Sequence, residues 1–154
     1  MILQKNTANR LGIFVFYDKD GIADEYNFYF IEELKKQVSR LLVICNGDVE
    51  EEAGKRFSRI ADEVMMRGNE GFDITAYHLG LKKYGYNRDG KFDEVIICNS
   101  TMFGPVYPFR EMFEKMAVGD LDFWGITNFH EVPFDPFGTV KYGMLPKHVQ
   151  SCFM

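Results

Sequence analysis

The chain has 154 residues, 46% of them hydrophobic and 16% aromatic, with a formal net charge of −5. That length and composition suit one globular domain with a substantial core and exclude a disordered chain. The acidic balance without any long basic run argues against nucleic acid as a partner, because phosphate binding needs clustered Lys and Arg.

No apolar run approaches the roughly 20 residues that span a bilayer, so no transmembrane segment is expected. Met1 to Arg10 is polar and carries no signal-peptide pattern; it reads as an N-terminal segment without order of its own. Leu11 to Tyr17 is a continuous apolar run, as in a parallel strand buried on both faces. Asp18 to Gly21 reads as a turn. A helix follows to about Val38, with Phe30, Ile31, Leu34 and Val38 on one face. Leu41 to Cys45 is a second buried strand, ended by Asn46-Gly47. Val49 to Ile60 reads as an acidic helix, its Asp and Glu residues complementing the helix dipole. A third strand covers Glu63 to Arg67.

The next helix is expected to bury Ile74, Tyr77, Leu81 and Tyr84. A Gly-, Asn- and Asp-rich loop spans Gly85 to Lys91, and Val95 to Cys98 is strand four. Phe109, Met112, Phe113 and Met116 recur at i, i+3, i+4, i+7, which predicts a helix with a core-facing stripe. Leu121 to Ile126 reads as a short strand, Asn128 to Lys147 as a loop with Pro and Gly, and His148 to Met154 as a last strand. The alternation predicts an α/β fold, a mostly parallel doubly wound sheet with helices on both faces, in one domain over 1–154. Cys45, Cys98 and Cys152 lie far apart in apolar or strand-like runs. They read as free thiols of a reducing cytoplasm, since no Cys-x-x-Cys metal spacing exists.

Two stretches carry the chemistry. In Arg67 to Gly80 a strand feeds a Gly-flanked turn that opens a helix, a place where unpaired backbone N–H groups attract anions. Asn69, Gly71 and Asp73 belong to that turn; Asp73 can cap the helix or hold a sugar hydroxyl. In the second stretch, strand four runs into the polar triplet Asn99-Ser100-Thr101, then a Gly-Pro turn. Ligands of open α/β sheets collect at the carboxyl ends of strands, where both clusters are expected. Asp18 after strand one and Asn46 after strand two fall at the same end, although ordinary turn chemistry accounts for both equally well. No Ser-His-Asp or Cys-His arrangement is readable, and no catalytic base can be named.

The segments NEGFDITAYHLGL (69–81), DEVIICNSTMFGPVYPFREMFEKM (93–116), DFWGIT (122–127) and HVQSCFM (148–154), in that order, resemble the rhamnan synthesis F family. The resemblance covers residues 11 to 154. It implies a glycosyltransferase-like protein of bacterial polysaccharide assembly with a GT-A, Rossmann-like fold. It further implies transfer of a sugar, often rhamnose, from a nucleoside-diphosphate donor to a growing glycan. On that resemblance Asp18 and Asn46 line the base and ribose pocket. The residues Asn69, Gly71, Asp73, Asn99, Ser100 and Thr101 complete the donor site. A cytoplasmic location follows, at the inner face of the membrane where a lipid-linked acceptor would hold the protein. Many GT-A enzymes hold Mg²⁺ or Mn²⁺ through an Asp-containing triplet. Here Asn99-Ser100-Thr101 lacks a carboxylate and so departs from the pattern, leaving Asp73 and the late His148 as metal candidates. A final strand without following cover reads as the amino-terminal part of a longer enzyme or as a minimal member. The missing carboxylate and the short chain keep a second function class open, a non-catalytic nucleotide- or carbohydrate-binding accessory module.

Overall fold

The computed structural model describes residues 8–119, 121–136, 138, 141 and 143–154. Strand β1 (Arg10–Tyr17) leads through helix α1 (Glu25–Lys35) to β2 (Arg40–Asn46). Helix α2 (Glu51–Ile60) then leads to β3 (Glu63–Arg67), and α3 (Phe72–Lys83) to β4 (Glu94–Asn99). Helix α4 (Phe109–Met116) and the short strands β5 (Asn128–Phe129) and β6 (His148–Val149) complete the chain. The four long strands form one all-parallel sheet in the order β3-β2-β1-β4.

Side chains of a strand alternate between faces, and each apolar run supplies both layers. Phe14, Phe16, Val43, Cys45, Ile96 and Cys98 face α1, α2 and α4, where Phe28, Phe30, Ile31, Leu34, Phe57, Phe109 and Phe113 complete one core. Leu11, Ile13, Val15, Leu42 and Ile44 face α3, against Ala76, Tyr77 and Phe92. Helices therefore cover both faces, as the alternating pattern predicts. Helix α3 lies so close to the sheet that a Cβ on Gly80 would stand 2.9 Å from Ile13 Cγ2 and 3.2 Å from Ile44 Cδ1. The absence of a side chain at Gly80 sets that approach.

Several expectations are corrected. Helix α1 ends at Lys35 rather than near Val38, and α2 starts at Glu51 rather than Val49. Ile74 does not join the buried stripe of α3: it is exposed, as is Phe72, whereas Ala76, Tyr77 and Gly80 face the sheet. Residues 121–126 form no strand. The free edge of β4 is taken instead by the C-terminal run: Ile97 and Met154 exchange backbone bonds of 2.8 and 2.9 Å, and Asn99 N donates to Cys152 O at 3.1 Å. This run lies antiparallel, with Phe153 opposite Cys98, and it covers an edge that would otherwise expose unpaired groups. The expected last strand is therefore split, since only His148–Val149 pairs with β5. The expected loop 128–147 is pinned at its ends by that ribbon and by a Val132–Leu145 bridge.

The expectation for residues 1–10 falls mostly on 1–7, outside the described residues. Asn9 is tied down, its N donating to Asp93 Oδ2 at 2.7 Å and its Nδ2 to Lys91 O at 2.6 Å. Arg10 opens β1 as a buried cation, paired with Glu94 and lying 4.7 Å from the Phe113 ring centroid. Cys45 and Cys98 are buried and Cys152 half-buried, all free thiols. Burial pushes the Cys45 thiol up to about 12 and the Cys98 thiol higher as well, so both stay protonated and inert.

Candidate functional site

Because the four strands are parallel and in register, their carboxyl ends form one row. Tyr17, Asn46 and Arg67 are register partners across β1, β2 and β3, and Asn99 stands opposite Val15 of β1. The chain winds outward from β1 to β3 on one side and returns to place β4 on the other. The crevice between the ends of β1 and β4 is thus the topological switch point, where open α/β sheets bind ligands.

Two polar clusters stand along the row of strand ends, the first at this crevice and the second at the ends of β2 and β3. In the first, Asn99 Nδ2 donates to Asp73 Oδ2 at 2.6 Å, joining the triplet after β4 to the first turn of α3. Asn99 Oδ1 accepts from Thr101 N at 3.2 Å and Thr101 Oγ1 at 2.6 Å, so the same side chain also shapes the turn. Asp73 is not a helix cap. The N-cap is Gly71, in the left-handed region at φ 70°, without a side-chain cap bond. In the second cluster, Arg67 Nη1 donates to Asn46 Oδ1 at 2.7 Å and to Phe72 O at 3.4 Å, and its Nη2 donates to Glu70 O. The guanidinium fixes the turn that presents Asp73. Asn46 is fully buried, and its Nδ2 has no partner among the described residues.

The other expected residues take more local parts. Ser100 Oγ lies 3.4 Å from both Tyr17 N and Tyr17 O, stitching β1 to the triplet, and Tyr26 Oη donates to Ser100 O at 3.2 Å. Asp18 Oδ1 accepts from Asp20 N at 2.9 Å and Ile22 N at 3.1 Å, an Asx turn, so its structural work is the turn chemistry that the sequence allows. The Asn69 carbonyl accepts from Phe72 N at 3.2 Å. His148 is exposed in the β5–β6 ribbon; its Nδ1 lies 2.8 Å from Pro146 O and its ring stacks on Phe129. His78 is an exposed helix residue against Tyr86. Among the described residues no group of three or more His, Cys, Asp or Glu side chains is gathered as a protein-built metal cage requires.

Sequence reasoning passed over two participants. Arg67 is legible afterwards as the cation that ends a strand just before a Gly turn. Tyr77 is not: its phenol, held neutral by burial, donates to Ser151 O at 3.1 Å and anchors the C-terminal run against α3. Beyond Thr101 the chain borders an apolar cavity of about 390 Å³ lined by Met102, Phe103, Tyr107, Phe109 and Met112, among others. Asn99, Asp73 and Arg67 do not line it.

The sequence model of the rhamnan synthesis protein F family matches residues 41–154. The chain belongs to the rhamnan synthesis protein F family. The match begins at β2 and runs through the turn, the triplet and the C-terminal run, so both polar clusters lie inside it, while β1 and α1 precede it. Membership implies a part in rhamnan synthesis. No curated protein and no solved structure matches the chain. Among the described residues no helix is long and apolar enough to cross a membrane.

Proposed function

We propose that this family member binds a nucleoside-diphosphate sugar across the carboxyl ends of its parallel sheet and transfers the sugar to a growing glycan, as a GT-A-type glycosyltransferase. The observation that carries the reading is the 2.6 Å bond between Asn99 and Asp73, which joins the two motifs at the switch point. The base and ribose lie near Asp18 and Asn46. The diphosphate lies near 69–73 and Asn99 to Thr101, where the first turn of α3 offers backbone N–H groups. A glycosyl transfer leaves negative charge on the departing diphosphate, and preorganised N–H dipoles stabilise that charge without reorganising. Mg²⁺ is usually held by one or two carboxylates together with substrate phosphates. Asp73 is the carboxylate we assign to that role, and such an ion would add charge stabilisation at the diphosphate. The acceptor is a glycan, and the work is done in the cytoplasm at the inner membrane face.

A second reading, an accessory module that binds a nucleotide or carbohydrate without turnover, is favoured by one observation. The Asp73 carboxylate bonded to the triplet is already committed to Asn99. A thermal-shift screen over ADP, GDP, CDP, UDP and dTDP, with and without Mn²⁺, tests binding. Release of sugar from the matching nucleotide sugar then separates the readings. The transferase reading expects both a shift and turnover; a shift without turnover means a nucleotide-binding accessory module, and no shift with any of the five contradicts the transferase and leaves only a carbohydrate-binding module.

A further inference from the structure

Arg67 is a nearly buried cation, its side chain 11% exposed, and the carboxylate paired with it among the described residues, that of Glu70, stands at 3.9 Å. Its close acceptors are the Asn46 carboxamide and the carbonyls of Glu70 and Phe72, all neutral. The carboxylate of Glu70 stands 3.9 Å from Nη2 on a side chain that is 88% exposed. It lies over Gly68: a Cβ there would come within 2.3 Å of a Glu70 carboxylate oxygen, so the missing side chain makes the room. Beside the guanidinium, the buried Asn46 has its oxygen taken by Arg67 and its Nδ2 left over. A desolvated guanidinium with one loose, exposed anion is poised to exchange that anion for a better one.

We propose that Arg67 is an anion receptor of the site and that Glu70 is its placeholder. An incoming diphosphate displaces the Glu70 carboxylate and takes the guanidinium in its place. A pair this long, with its carboxylate in solvent, costs little to break. A phosphate carries more charge than a carboxylate and matches the guanidinium fork, so the exchange favours the diphosphate. The identity of the anion as a diphosphate rests on the nucleotide-sugar reading above. The exchange makes a directional demand: removing the carboxylate that competes for the guanidinium must tighten binding.

Calorimetric titration of the full chain with inorganic pyrophosphate and with each of the five nucleoside diphosphates tests this, using wild type, Glu70→Gln and Arg67→Lys. Glu70 is exposed, so Glu70→Gln leaves the fold intact. It should bind about two- to fivefold more tightly than wild type, the advantage shrinking as salt rises. Arg67→Lys, which keeps the charge but loses the fork, should bind about tenfold more weakly. If a nucleotide binds wild type and Glu70→Gln is no tighter, the placeholder is refuted and the nucleotide reading stands. If pyrophosphate alone binds and Glu70→Gln tightens it, the placeholder stands and the nucleotide reading falls. If nothing binds wild type, both fall.

Discussion

Asp73 and Asn99 show how a side chain serves structure and site at once. Asp73→Ala removes the acceptor of Asn99 Nδ2 and leaves a part-buried amide unpaired, which costs about 1–3 kcal/mol of stability. The same substitution should weaken nucleoside-diphosphate binding by about 1–3 kcal/mol if the carboxylate also holds a ligand hydroxyl or a metal-bound water. Asp73→Asn separates the effects, since its amide oxygen still accepts from Asn99 while the charge is gone. Calorimetric titration at matched folded fraction should rank affinities wild type, then Asn, then Ala; equal affinity in all three would remove Asp73 from the site. That Asp73 and Asn99 would stand at one end of the sheet was legible from the strand that precedes each, but their direct bond was not. The two residues are 26 apart in sequence, and only parallel register brings them together.

At the scale of elements, two devices hold the frame together, the first at the end of the sheet opposite the site. Glu63 at the start of β3 binds Lys83 at the end of α3 at 2.6 Å and accepts from Tyr84 Oη at 3.3 Å. The Lys83 ammonium holds the Glu63 carboxyl below its ordinary 4.5, with Tyr84 and Arg40 adding to the effect. A depressed carboxyl contributes stability that is present above its unfolded value and lost as pH falls through its folded value. Urea midpoints should therefore separate wild type from Glu63→Gln near neutrality, and the gap should close below about pH 4; parallel curves would contradict this. The second device is the C-terminal run. Phe153 is fully buried, with ring centroids 5.5 Å from Phe109, 6.1 Å from Trp124 and 6.3 Å from Phe30. Phe153→Ala should cost about 3–5 kcal/mol by urea unfolding, and a cost under about 1 kcal/mol, typical of an exposed site, would show that the run is not part of the core. The sequence marks β1 and β2 especially well, because runs buried on both faces are continuous and need no partner to be recognised. It misplaces the strand at 121–126, because an edge is won by competition: the Phe153 run takes β4, and LDFWGI is left with Leu121 and Phe123 in solvent. Ile74 misleads for a related reason, since periodicity gives a helix stripe but not how far the helix overhangs its sheet.

For the whole molecule, the order β3-β2-β1-β4 brings four separate strand ends into one row. That row was predictable from alternation alone, whereas the antiparallel cover on β4 and the nearly buried Arg67 arise from long-range packing that no local pattern records. The central claim is that a nucleoside diphosphate occupies this row. Hydrogen–deuterium exchange of the full chain, with and without each of the five nucleoside diphosphates, reads the location directly. The predicted result, for the nucleotide that binds, is slowed exchange confined to the segments 17–22, 67–75 and 99–103. Slowed exchange elsewhere with none in those three segments, or no change with any of the five, would contradict it.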